Sequence, residues 1–84
     1  VLFFDLTFLP LVEKLAPLCR GVRHWVAMTD RAHMPDSALD LTCYEDLVNA
    51  HSDDYDWPEF DENTAAGLCY TSGTTGNPKG VLYS

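Results

Sequence analysis

Residues 1–30 read VLFFDLTFLPLVEKLAPLCRGVRHWVAMTD, and the fold is decided within them. Val1, Leu2, Phe3 and Phe4 form a short, continuous apolar run, as in a strand covered on both faces. Asp5, Leu6 and Thr7 follow as a turn in which Thr7 is placed to cap the next helix. Phe8, Leu11, Val12, Leu15, Leu18 and Cys19 then recur at three- and four-residue steps. That spacing puts them on one face of an amphipathic helix, with Glu13, Lys14 and Arg20 largely off it. Pro10 suits the first helical turn, and Pro17 ends or kinks the helix. Gly21 punctuates the chain, and His24, Trp25, Val26, Ala27 and Met28 read as a second apolar strand closed by Thr29 and Asp30. The order strand, helix, strand predicts a parallel crossover unit, hence an α/β fold rather than a helical bundle or a β-sandwich.

Moving outward, residues 31–41 show no clear period and read as an exposed connection. Thr42, Cys43, Tyr44 and Glu45 match a capping box ahead of Leu47 and Val48, predicting a short helix near residues 44–50. Residues 51–63 are acidic and contain Trp57 and Pro58, which predicts a solvated linker with an aromatic anchor. Residues 65–70 read as another strand, and Val81, Leu82 and Tyr83 begin a further one. Three segments result: a strand-helix-strand unit over 1–30, an acidic connection with a short helix over 31–64, and strand-loop-strand over 65–84.

Composition narrows the function. With 84 residues and no initiating Met, opening and closing on apolar runs, the chain reads as a piece of something larger. The hydrophobic content of 46% is globular, and no apolar stretch approaches the roughly 20 residues that span a bilayer. Net charge is −8, and the stretch from Asp36 to Glu62 contains most of the acids and no Lys or Arg. A nucleic-acid binder needs the reverse, a clustered basic footprint, so DNA and RNA are not expected partners. Cys19, Cys43 and Cys69 are an odd, widely spaced set without a C-x-x-C pair, which suits reduced, buried thiols in the cytoplasm.

The chemistry concentrates in TSGTTGNPKG, residues 71–80. Gly73, Gly76 and Gly80 can take positive φ and approach a bound group without a Cβ in the way. Successive N–H groups of such a loop can point inward as an anion nest. Ser72, Thr74 and Thr75 add hydroxyl donors, and Lys79 adds a mobile positive charge suited to phosphate. Pro78 stiffens the exit and biases Asn77 toward an extended conformation. A G-x-x-x-x-G-K-[ST] loop would place Lys after Gly and a hydroxyl directly after Lys. Here Pro78 precedes Lys79 and Gly80 follows it, so the ordinary NTPase reading fails on spacing. A ligand-free hairpin is the bland alternative, but hairpin loops usually hold two to five residues.

YTSGTTGNPKGV, residues 70–81, resembles the phosphate-binding signature of the adenylate-forming superfamily, which includes acyl-CoA synthetases, peptide-synthetase adenylation domains and firefly luciferase. Tyr44, Glu45, Asp46 and Leu47, with WPEFDENTA at residues 57–65, more loosely resemble the bacterial medium- and long-chain fatty acyl-CoA synthetase branch. The resemblance implies part of the large N-terminal domain of such an enzyme. Its implied reaction has two steps: a carboxylate attacks the α-phosphate of ATP to give acyl-AMP and pyrophosphate, then coenzyme A displaces AMP. It places Thr71, Ser72, Gly73, Thr74, Thr75, Gly76 and Lys79 on the ATP phosphates, with Thr71 facing Mg. No residue here would be a nucleophile, acid or base, and the adenine, ribose, acyl and CoA sites lie elsewhere. The 84 residues alone are therefore expected to be inactive. Rival readings are adenylation of an amino or aryl acid and, from another class, a non-catalytic acidic interaction module.

Other constellations carry less. His24, His33 and His51 are too scattered for zinc spacing. Asp54, Tyr55 and Asp56 hint at a calcium loop, but Pro58 takes the next ligand position and the required Gly is missing. Phe8, Trp25, Tyr44 and Phe60 are expected in the core rather than on a stacking surface.

Overall fold

The computed structural model describes residues 1–74 and 76–84. They form two compact units, Val1–Asp54 and Tyr55–Ser84. The first is built on three short strands, β1 (Leu2–Phe4), β2 (Trp25–Ala27) and β3 (Leu41–Cys43), in the order β1-β2-β3. Both pairings are parallel, as the strand-helix-strand pattern predicts, and the register sets Leu2 against Trp25 and Phe4 against Ala27. Helix α1 (Leu9–Leu15) makes the first crossover, and α2 (Tyr44–Asn49) follows β3 directly.

Strand alternation divides the apolar side chains between the two faces. Phe4, Trp25 and Ala27 share one face and pack with Val12 of α1 into a buried cluster, flanked by Leu2, Leu9, Ala16 and Cys19. Val26, almost fully buried, belongs to the other face. There it lines a cleft of about 210 Å³ with Thr42, its register partner, and Leu47 of α2.

Helix α1 keeps the expected period but not the expected phase. Leu9, Val12, Ala16 and Cys19 face the core, whereas Phe8, Leu11, Leu15 and Leu18 are exposed. Its start explains the rotation. Asp5, not Thr7, is the cap: its carboxylate accepts from the Thr7 N–H at 2.8 Å and opens a 3-10 turn over Leu6–Phe8. That turn runs straight into α1, which has no side-chain cap of its own and carries Pro10 in its first turn. The helix stops at Leu15, because Pro17 has no N–H to give the Glu13 carbonyl.

Residues 31–41 are more structured than an exposed connection. Asp30 caps a second 3-10 turn, Arg31–His33, by accepting from the His33 N–H at 2.9 Å. Met34 and Leu39 pack on the core, and β3 then adds the third strand. The capping box does not form, because Thr42 lies in β3 and the residue before α2 is Cys43. Two bonds to the Thr29 carbonyl replace it: the Glu45 N–H donates at 3.2 Å and the Cys43 thiol at 3.3 Å. Arg31 and Asp46 form an ion pair across the same junction. Of the aromatics expected in the core, only Trp25 is there. Phe8 and Phe60 are exposed, and Tyr44 meets Phe3 edge-on at 6.4 Å.

The second unit is an antiparallel hairpin of β4 (Gly67–Thr71) and β5 (Lys79–Tyr83), preceded by an irregular acidic segment. Its pairing is extended by the Ala66 N–H, which donates to the Tyr83 carbonyl at 2.6 Å. In the acidic segment, Asp61 closes a turn by accepting from the backbone and side-chain amides of Asn63 at 2.8 and 2.9 Å. Trp57 is 84% exposed and stacks edge-on with Tyr55 at 4.9 Å, so it does not anchor a core. Cys43 is buried as expected, but Cys19 is only half-buried and Cys69 in β4 is exposed.

Candidate functional site

The hairpin ladder sets the ends of the candidate loop. Thr71, the last residue of β4, pairs with Lys79, the first of β5, and the connection between them spans residues 72–78. Directly opposed residues in an antiparallel pair project to the same face with Cβ atoms ~4.5–5.5 Å apart. The ladder therefore brings a hydroxyl and an ammonium group together at the mouth of the loop. No tight two-residue turn closes this hairpin, since seven residues separate the paired ends.

Within the connection, two glycines supply conformations that side-chain-bearing residues rarely take. Gly73 has φ +64°, the left-handed region, and Gly76 has φ +141°, outside it. A Cβ on Gly73 would stand at an ordinary 3.8 Å from the Asn77 carbonyl oxygen, so its constraint is conformational rather than steric. Ser72 and Thr74 lie in the same connection and are exposed. Thr75, assigned with them from the sequence, lies outside the described residues.

Gly80 differs from the expectation of positive φ. It sits inside β5 opposite Tyr70, and its constraint is space. A Cβ there would meet Leu68 Cδ1 at 3.0 Å and the Tyr70 ring at 3.6 Å. Tyr70 and Gly80 were thus not distinguishable as a pair before the register was known. The available signal was a Gly within a strand pattern, which marks close approach.

The electrostatics of this segment oppose those of the chain. From residue 63 onward Lys79 is the one charged side chain, so the loop is locally cationic despite the overall charge of −8. Exposed N–H groups, hydroxyls and a single ammonium suit an anion. The residues offer Mg less. Among the described residues no three His, Cys, Asp or Glu converge, so Thr71 could add one oxygen to an ion otherwise held by phosphates and water.

A glycine- and hydroxyl-rich hairpin loop with one lysine at its exit defines a class. Residues 10–84 match the family described as AMP-binding enzyme, and the chain belongs to that family. Among individual relatives, it is 52% identical over 88 aligned positions to a 3-methylmercaptopropionyl-CoA ligase of Ruegeria lacuscaerulensis. It is 47% identical over 89 positions to a medium-chain-fatty-acid–CoA ligase of Ectopseudomonas oleovorans, and 42% identical over 84 to a long-chain-fatty-acid–CoA ligase of Thermus thermophilus. Each alignment covers 100% of this chain but only 14–16% of the relative, so the chain spans about a sixth of their length. No described helix is long and apolar enough to cross a membrane.

Proposed function

We propose that the protein carrying this chain uses ATP to activate a carboxylic acid as its acyl-adenylate and then transfers the acyl group to coenzyme A. In this reading residues 71–80 hold the β- and γ-phosphates. The observation that supports it best is the ladder that opposes Thr71 and Lys79 across a loop with glycines at φ +64° and +141°, in a chain whose relatives are named as CoA ligases. Attack on the α-phosphate leaves negative charge on the departing pyrophosphate. Lys79 and the loop N–H groups would offset that charge and fix the leaving group in line. Thr71, Ser72, Gly73, Thr74, Thr75, Gly76 and Lys79 form the proposed contact set, with Thr71 beside a Mg ion that would neutralise phosphate charge. No residue of the set moves a proton or forms a covalent bond, so the 84 residues alone would not catalyse the reaction.

Two acid classes compete. The medium- and long-chain ligases favour a fatty acid, while the 52% relative favours a short sulfur-containing acid. The decisive experiment uses the whole enzyme with each acid in turn, following ATP–pyrophosphate exchange for wild type and Lys79→Ala. A hydrogen bond to a charged group is worth ~1.5–3 kcal/mol, so losing Lys79 should raise the KM for ATP by about tenfold to a hundredfold. The KM for the acid should be unchanged. Exchange that requires no acid, or ATP kinetics untouched by the substitution, would refute the proposal.

A further inference from the structure

The geometry points to Tyr70 and Gly80 as positioning residues that act on ATP through Lys79, an inference that rests on the phosphate-binding role just proposed. A one-residue slip between β4 and β5 would turn Lys79 to the opposite face of the hairpin. Something must therefore hold the register. The turn is poorly suited to do so, because register is fixed by turn geometry in short loops and this connection has seven residues. Within these 84 residues burial does not set it either, since every described residue of β4 and β5 is exposed here.

Side-chain pairs across the ladder remain. Leu68 opposes Leu82 and Cys69 opposes Val81, pairs of similar partners that a shifted register could replace with others of the same kind. Tyr70 against Gly80 is different. The phenol ring lies 3.6–3.7 Å from the point where a Gly80 Cβ would stand, and Leu68 Cδ1 lies 3.0 Å from it. The bare Cα is thus the floor of a slot covered by the Tyr70 ring and the tip of Leu68. No other residue of β5 leaves such a slot, so the ring selects one register, and Lys79 is the next residue along.

The test compares ATP kinetics in the whole enzyme. Tyr70→Ala should raise the KM for ATP by about threefold to fivefold, leaving the KM for acid and for CoA as in wild type. Tyr70→Phe keeps the ring and should restore the wild-type value. Because Tyr70 acts through Lys79, the double variant Tyr70→Ala, Lys79→Ala should be no worse than Lys79→Ala alone. Gly80→Ala fills the slot and should also raise the KM for ATP. Adding Leu68→Ala removes the closest atom and should recover part of the loss, which keeps the inference testable if Tyr70→Ala fails to fold. Three outcomes overturn it: wild-type ATP kinetics in both Tyr70→Ala and Gly80→Ala, full additivity with Lys79→Ala, or an equal loss toward all three substrates. Each of these leaves the phosphate role standing if Lys79→Ala alone is impaired. An unimpaired Lys79→Ala would instead remove the phosphate role itself.

Discussion

The two units of this chain hold their shape by different means. In Val1–Asp54, Phe4, Val12, Trp25, Val26, Ala27 and Cys43 are buried around a three-stranded parallel sheet. In Tyr55–Ser84 no described residue is buried, and the structure consists of a hydrogen-bonded ladder, local turns and glycine conformations. The candidate chemistry sits in the second unit. A core tolerates many apolar residues of about the right size, whereas positions fixed by positive φ or close approach, as at Gly73, Gly76 and Gly80, accept few side chains. The first unit is therefore specified by volume, and the second by backbone geometry.

The largest expected effect sharpens that contrast. Truncating Trp25, 8% exposed and central to the core, should cost ~3–5 kcal/mol in urea unfolding of the chain followed by far-ultraviolet circular dichroism. That is a large share of the ~5–15 kcal/mol typical of a whole domain. Leu82→Ala, at 68% exposure in β5, should stay within about 0.5 kcal/mol in the same measurement. Comparable losses from the two changes would break the distinction.

A middle-sized effect tests geometry in the loop. Gly73 and Gly76 both have positive φ, yet only Gly73 lies in the left-handed region that other residues occasionally enter. Strain at such positions costs ~1–3 kcal/mol. In the whole enzyme, Gly73→Ala should raise the KM for ATP about fivefold and Gly76→Ala tenfold or more. Gly73→Asn should lie near wild type, because Asn tolerates the left-handed region. The reverse order would show that space, not φ, governs the loop.

The same division explains what could be read from residues alone. The crossover was legible because Val1 to Phe4, the periodic stretch after it and His24 to Met28 each carry a signal several residues long. Strand β3 was not, since it has three residues and its alternation, Leu39, Leu41 and Cys43, crosses from connection into strand. Thr42 looked like a cap because Glu45 lies three residues on. Pairing with Val26 spends it in the ladder instead, and the Thr29 carbonyl takes the bonds at the start of α2. In the loop, composition alone marked the anion-suited residues. The constraint on Gly80 was hidden because it comes from Tyr70 and Leu68 across the ladder, a relation that exists only once the register is known.

The smallest effect concerns acid, and it compares a turn on the core with a turn lacking one. The His33 side chain, hydrogen-bonded to Asp30 at 2.6 Å, holds the Asp30 carboxyl below the usual carboxylate value. The Asn63 backbone N–H, followed by its side chain, does the same for Asp61. For a carboxyl whose pKa is lowered by folding, the stabilisation is fully present above the unfolded value of about 3.9 and is lost as pH falls through the lower folded value. The Asp61 turn, whose donors do not titrate, should therefore not respond between pH ~7 and ~5, and both turns should loosen below about 3.9. Their responses should differ in size. Met34, directly after the Asp30 turn, is packed against the core and donates its N–H to the Arg31 carbonyl at 3.4 Å. Among the described residues, the Asp61 turn has only the Asn63 bonds and the Thr64 N–H on its own carbonyl, all at exposed positions. Amide exchange, corrected for its intrinsic pH dependence, should thus accelerate more at Asn63 than at His33 as the carboxylates protonate. Asp61→Asn should abolish the acceleration at Asn63, because an amide can accept the same bond but cannot titrate. Equal acceleration at the two sites would mean that packing beside a turn gives it no protection here, and the contrast between the units would not extend to their turns.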